Sequence, residues 1–180
     1  SECRRMAALV GDMLLLASTD AGSWSIKQET VDMDTLLIET YELFEPVCQN
    51  SQVRLFLDLP EETLPHVTGD ASCLKQLLTI LLDNAVSYTP ANKKITISAA
   101  VKGKEMTICV ADQGCGIPAD VRAHIFDRFY RGDTSRTDKR HFGLGLSIAK
   151  ELTTLHGGRI SVDETEGGGA AFRGKLPVMA

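Results

Sequence analysis

The chain of 180 residues and 19.6 kDa is 43% hydrophobic and 24% charged, a balance that supports a packed core and excludes a wholly disordered segment. Its net charge of −5 excludes the broad basic footprint of a nucleic-acid binder, and the one local cluster, Arg136, Lys139 and Arg140, lies in a loop. The five cysteines, at 3, 48, 73, 109 and 115, are odd in number and contain no C-x-x-C pair, which argues against a disulfide or zinc framework and predicts free thiols in a reducing compartment such as the cytosol.

A helix is predicted over residues 2–18, where Met6, Leu9, Val10, Met13, Leu16 and Ala17 recur at helical spacing, ending at "STDAGS". The chain begins inside this pattern and is expected to be a piece of a longer protein. "MLLLA" and "ILL" are too short to span a bilayer and no signal peptide is visible, so any membrane segment is expected upstream. After an extended stretch, "SWSIKQET", Asp32 or Asp34 is expected to cap a second helix carrying Leu37, Tyr41, Phe44 and Cys48, with Pro46 bending it or ending it early.

"VRLFLDL" then alternates Val53, Leu55, Leu57 and Leu59 as a strand with one buried face, broken by Pro60 and Pro65. Asp70 is the predicted N-cap of the next helix, which Thr89-Pro90 closes. On that helix Leu77, Ile80, Leu81 and Tyr88 form an apolar stripe, and Asn84 sits in its middle. Burying an amide without a partner costs about 1–3 kcal/mol. Asn84 is therefore expected either to be satisfied by nearby backbone or to face something polar that the stripe encloses.

"KKITISAAV" and "EMTICVAD", joined by Lys102-Gly103-Lys104, predict an antiparallel hairpin. "DQGCGIP", 112–118, is a loop; 119–127 a short helix; 130–142 a charged, mobile segment. Leu144, Ile148, Leu152 and Leu155 mark a last helix ended by Gly157-Gly158, and "RISVDE" and "AAFRGKL" close the chain as a hairpin through "TEGGG". These elements sum to a two-layer α/β (α+β) sandwich, a mixed, largely antiparallel sheet covered by helices on one face.

The P-loop, the Rossmann G-x-G-x-x-G and the protein-kinase H-R-D and D-F-G sets are all missing from the sequence. "FGLGLS" opens a helix where free N–H groups favour an anion, a weak signal alone. Asp112, ending a strand before Gly114 and Gly116, can read the donor edge of a base or close an Asx-turn on its own loop; the loop alone leaves both open.

The ordered set is more specific than its parts. A helix with an inward Asn, D-x-G-x-G after a strand, the aromatics of "IFDRFYRGD", a charged stretch and G-L-G-L opening a helix resemble the histidine-kinase branch of the GHKL superfamily, which also holds gyrase, the heat-shock chaperone ATPases and the mismatch-repair ATPases. "LLDNAVSYTP" matches the N box, "DQGCGIP" the G1 box, "IFDRFY" the F box, "FGLGL" the G2 box and "GGGAAF" a degenerate last glycine motif.

The resemblance implies a Bergerat-type ATP-binding fold over 21–180. It implies that Asn84 ligates Mg²⁺ bridging the ATP phosphates, that Asp112 accepts from the adenine amino group beside Gly114 and Gly116, and that Tyr88 and Ile117 wall the base. Gly143, Leu144, Gly145 and Leu146 would bring the phosphates to backbone N–H groups, Arg128 or Arg131 would counter phosphate charge, and 130–142 would be a lid. Residues 1–20 resemble the end of a dimerisation and phosphoacceptor hairpin whose first helix, with the acceptor histidine, is absent; His66, His124, His141 and His156 do not replace it. The implied partners are ATP, that hairpin within a homodimer and a response regulator, with no nucleic acid. The implied location is the cytoplasmic side of a membrane-anchored sensor.

Four positions depart from the family pattern. Ile80 stands where a second Asn is common, Ser87 replaces a Lys, His141 a Gly, and Ala170 a Thr or Ser that supports the adenine site through water. The changes at Ile80 and Ser87 loosen the phosphate grip more than base recognition. They leave a rival in view, a regulatory or docking module without kinase activity. The ATPase branch is disfavoured, because it uses a Glu one turn before the Asn, where this chain has Ile80.

Overall fold

The computed structural model describes residues 2–130 and 143–179, with the side chains of 2–5 and Ala8 left aside. Its elements in chain order are α1 (Glu2–Asp20), β1 (Glu29–Val31), α2 (Met33–Asn50), β2 (Arg54–Asp58), β3 (Val67–Gly69), α3 (Ala71–Tyr88), β4 (Lys94–Lys102), β5 (Glu105–Asp112), α4 (Ala119–Arg122), α5 (Gly145–Leu155), β6 (Arg159–Glu164) and β7 (Ala170–Pro177). Five strands form one sheet in the order β2-β4-β5-β7-β6, and β1 pairs with β3 in a separate two-stranded ribbon. Only the β2–β4 pair of the larger sheet is parallel; its connection runs through β3 and α3, as a parallel pair requires a long crossover.

Period-two alternation puts Ile95 and Ile97 of β4, Met106, Ile108 and Val110 of β5, and Phe172 and Leu176 of β7 on one buried face. Against it pack Leu37 and Phe44 of α2, Leu74, Leu78, Leu81 and Leu82 of α3, and Ile148 and Leu152 of α5. The expected two-layer arrangement is the one observed. Leu15 and Leu16 of α1 join this core, whereas Met6, Val10, Met13 and Leu14 are exposed. Among the described residues no helix is long and apolar enough to cross a membrane.

Both cap expectations resolve. Asp32 caps α2 by accepting from the Thr35 N–H at 3.1 Å, while Asp34 accepts from the Leu64 N–H at 2.9 Å and so ties a loop to the helix instead. Asp70 caps α3, accepting from Ser72 and Cys73 N–H groups at 3.0 and 3.3 Å. Pro46 does not end α2 early: the helix runs on to Asn50. Proline there removes the donor to the Glu42 carbonyl, and both residues lie on the exposed side, where a carbonyl without a backbone donor costs least. α1 likewise continues past residue 18 to Asp20.

The expected helix at 119–127 is a correction. α4 is a single turn, Ala119–Arg122, and 123–129 continue as i→i+3 turns, His124 N–H to Val121 O at 2.9 Å and Asp127 N–H to His124 O at 2.9 Å. No buried residue lies on α4, so it has no apolar face to hold a longer helix.

His156 joins three elements. It is 5% exposed at the end of α5; its Nε2 accepts from the Asp70 N–H at 3.0 Å, so Nδ1 carries the proton and donates to Leu152 O at 2.7 Å. A Cβ on Gly69 would lie 2.3 Å from His156 Cδ2. Gly69→Ala is expected to lower the unfolding free energy by about 2–3 kcal/mol through displacement of this ring, as read from urea denaturation; an unchanged midpoint would show that the ring moves without cost.

Candidate functional site

Asp112 ends β5 on its buried face and is 4% exposed. Its Oδ1 accepts two backbone donors, Gly114 N–H at 2.8 Å and Ala170 N–H at 3.1 Å. The first is the Asx-turn that the sequence allowed; the second comes from the far end of the chain. Oδ2 receives no hydrogen bond among the described residues. A buried carboxylate oxygen without a donor is expensive, and such exceptions mark places where a ligand supplies the partner. Burial pushes the Asp112 carboxyl above the ordinary aspartate range, against the pull of the Ala170 and Gly114 N–H groups.

Glycines surround this residue because other atoms occupy the space a side chain would need. A Cβ on Gly114 would lie 2.5 Å from the Tyr88 carbonyl oxygen, and one on Gly169 would lie 2.0 Å from the Asp112 carbonyl oxygen. Gly116 has φ +70°, and its Cβ would meet the Gly168 carbonyl oxygen at 2.1 Å. The 112–118 loop, the end of α3 and the 165–169 loop are thus in direct contact. Thr165 adds a side-chain tie, its hydroxyl donating to Asp112 O at 3.1 Å.

Two further groups hold this loop that sequence reasoning missed. Thr165 is one. The other is Arg122, whose Nε donates to Ile117 O at 2.8 Å and whose NH2 group donates to Glu164 Oε2 at 2.9 Å. No spacing rule marks either residue. Ile117 is half-buried and packs on the core; Cys115, between the glycines, is exposed. Cys48, Cys73, Cys109 and Cys115 are all free thiols.

Asn84 is half-buried on α3, and its side-chain amide makes no hydrogen bond among the described residues. Nearby backbone therefore does not satisfy it. One turn earlier, Ile80 is half-buried against the start of α5: its Cγ2 lies 3.4 Å from the Cβ position of Gly145. α5 begins there without a side-chain cap, after buried Leu144 and Gly143 at φ +77°, and its first N–H groups have no acceptor among the described residues. Leu146 packs on the core, and the Ser147 hydroxyl donates back to Leu144 O at 2.7 Å. Tyr88 is half-buried at the end of α3. α3, the 112–118 loop and the α5 N-terminus hold most of the expected site residues. Among the described residues no group of three His, Cys, Asp or Glu could hold a metal, so an ion here would depend on Asn84 and on oxygens of the ligand itself.

Arg128 is not open to a phosphate in this conformation. It forks onto Asp20 at the end of α1, with both contacts at 2.6 Å, which holds the Asp20 carboxyl below and the Arg128 guanidinium above its usual range. Phe126 points inward, edge-on to Phe172 at 6.2 Å, while Phe129 is exposed with φ +60°. The Phe129 N–H donates to Gly143 O at 2.9 Å and closes the base of the 130–142 segment. Arg131, His141, the Arg136, Lys139 and Arg140 cluster, and all of the expected lid beyond Tyr130 lie outside the described residues. His66 and His124 are exposed, and neither sits beside Asn84 or Asp112 in a hydrogen bond.

Comparison with known proteins finds a family and relatives for the chain. Residues 69–180 match the family model described as histidine kinase-, DNA gyrase B-, and HSP90-like ATPase. The chain is 35% identical over 98% of its length to the sensor histidine kinase WalK of Bacillus subtilis, covering 29% of that protein. It is likewise 35% identical over 99% of its length to the sensor protein CiaH of Streptococcus pneumoniae, covering 39% of it. The chain thus spans well under half the length of these curated relatives. Among solved structures, full-length ShkA in complex with AMPPNP superposes with a TM-score of 0.85 at 30% identity, covering 97% of this chain and 36% of that one. The catalytic domain of the histidine kinase ThkA in a nucleotide-free form gives 0.74 at 28% identity, over 84% of this chain and 96% of that one.

Proposed function

The chain belongs to the histidine kinase-, DNA gyrase B- and HSP90-like ATPase family, and from that premise we propose that it is the ATP-binding catalytic part of a sensor histidine kinase. It presents the γ-phosphate of ATP to a histidine on a helical hairpin, of which α1 is the final stretch, and a response regulator then receives the phosphoryl group. The whole protein is a dimer through that hairpin, with this part on the cytoplasmic side of a membrane-anchored sensor.

The observation that carries the reading is the buried Oδ2 of Asp112. Oδ1 is committed to two N–H donors, which leaves Oδ2 as an oriented acceptor for the exocyclic amine of adenine. Tyr88 and Ile117 flank the base. Gly143 and Gly145, at the uncapped start of α5, let backbone N–H groups approach the phosphates, with Leu144 and Leu146 anchoring that turn in the core. Asn84 offers a hard cation an amide oxygen that has no partner among the described residues, and Mg²⁺ bound there would neutralise phosphate charge. The chain's own share of catalysis is orientation and electrostatics. Arg128 reaches a phosphate only after leaving Asp20. Ile80, apolar where the ATPase branch carries a Glu, gives no group to activate water, so hydrolysis by the isolated chain is expected to be slow.

Calorimetric titration with ADP and a non-hydrolysable ATP analogue, with and without Mg²⁺, tests the site. Binding strengthened by Mg²⁺, followed by phosphotransfer from ATP to a separately supplied hairpin bearing a histidine, is the expected result. No binding of either nucleotide would refute the assignment and leave a docking module.

A further inference from the structure

Two of the groups that border the base slot, Asp112 and Ile117, are held by the same hairpin. Asp112 is fixed by Ala170 N–H and the Thr165 hydroxyl. At the other side, the Ile117 carbonyl accepts from Arg122 Nε at 2.8 Å, and the same guanidinium reaches Glu164 at the end of β6 at 2.9 Å. A guanidinium is planar, with its donors in a rigid fork, so two acceptors on two of its edges leave one orientation. Arg122 is 29% and Glu164 59% exposed at the side chain, and such a solvent-reached pair adds little to folding. Arg122 stands at the end of a one-turn helix with no buried residue, so the core does not include it. Its contacts determine where the Ile117 backbone sits.

We infer that Arg122 is a positioning residue for the nucleotide base, bracing Ile117 against Glu164 and thereby setting the width of the slot between Ile117 and Asp112. This rests on the reading of Asp112 as the adenine acceptor. Without the brace the Ile117 carbonyl loses its donor and the wall moves outward. The slot then holds adenine less tightly and admits a bulkier base. Lysine cannot take the place of arginine here, because one ammonium does not span both acceptors in a fixed plane.

The test compares ADP with N6-benzyl-ADP by calorimetry on the wild type, Arg122→Ala, Arg122→Lys and Glu164→Gln, with thermal midpoints recorded in parallel. Wild type is expected to prefer ADP strongly. Arg122→Ala should weaken ADP by roughly tenfold, the scale of losing hydrogen bonds from a charged donor, while N6-benzyl-ADP weakens less or gains, at an unchanged midpoint. Arg122→Lys should share the lost preference, and Glu164→Gln should show a smaller loss in the same direction. An unchanged ratio between the ligands, or equal weakening of both with a lowered midpoint, would overturn the inference by showing no role or a merely structural one. If Arg122→Ala does not fold, Glu164→Gln decides by the same ratio. Failure of wild type to bind ADP at all would overturn the adenine reading itself, and the wild-type titration shows this before any variant is compared.

Discussion

Asp112→Asn should reduce adenine-nucleotide affinity by about a hundredfold or more while leaving the nucleotide-free fold intact, because a site built to pair one hydrogen-bonding group rejects its mismatch by orders of magnitude. The amide is nearly isosteric, and its oxygen can replace Oδ1 as the acceptor of the Gly114 and Ala170 N–H groups. That forces its NH₂ into the position of Oδ2, where it confronts the adenine amine donor to donor. The carboxyl of Asp112 is raised in the folded state by burial, so its ionisation disfavours the fold at neutral pH, and the group's stabilising contribution is recovered only as pH falls. The neutral amide removes that cost, and the thermal midpoint of the nucleotide-free variant should equal or exceed that of wild type. For the wild type, acidification removes the charged acceptor at a pH above the ordinary aspartate value, so affinity should begin to fall there. Titration calorimetry across pH beside thermal melts checks both statements. Retained affinity in the variant would remove Asp112 from the site.

Asn84→Ala should abolish the Mg²⁺ dependence of nucleotide binding and slow phosphotransfer to a supplied hairpin by about a hundredfold or more, the order seen when one group stabilising transition-state charge is removed. Among the described residues nothing else uses this amide: it is half-buried, has no hydrogen-bond partner there, and stands on a helix where alanine is the better former. Folding should therefore be unaffected or slightly improved. Affinity measured without Mg²⁺ should match wild type. A variant whose Mg²⁺ response equals that of wild type would show that the ion, if bound, is held elsewhere.

Much of this was legible because local chemistry and long-range packing agree. Asp70 capping α3, Thr89-Pro90 ending it, and the alternating β4–β5 pair obey short-range rules that the tertiary structure keeps. Asn84 was visible as an amide out of place in an apolar stripe, and among the described residues it has no hydrogen-bond partner. Other features carry no local signal. β1 and β3 are three residues each, too short for a period, and exist through pairing with one another. That β2 runs parallel to β4 depends on a crossover of more than thirty residues. α4 stopped after one turn because no apolar face holds it, and α2 passed through Pro46 because the freed Glu42 carbonyl lies on the exposed side of the helix. Arg128 read as a phosphate ligand from its place in the motif, yet its partner Asp20 is 108 positions away. Arg122 and Thr165 escaped for the same reason: each acts on backbone carbonyls, which no side-chain pattern reveals.

The contact between the two glycine loops has a consequence for engineering the protein. Surface loops ordinarily accept inserted residues, tags or even whole modules at small thermodynamic expense. Glu166 and Gly167, at the tip of the 165–169 loop, are exposed and invite such use. Yet the carbonyl of Gly168 fills the space beside Gly116, the backbone at Gly169 abuts the Asp112 carbonyl, and Ala170 supplies the N–H that orients the Asp112 carboxylate. One added residue shifts all three at once. This tip is therefore a poor place to attach a reporter, whereas the turn at Gly103, with open space around it, joins β4 to β5 at the opposite end of β5 from Asp112 and can be lengthened without disturbing the nucleotide loops.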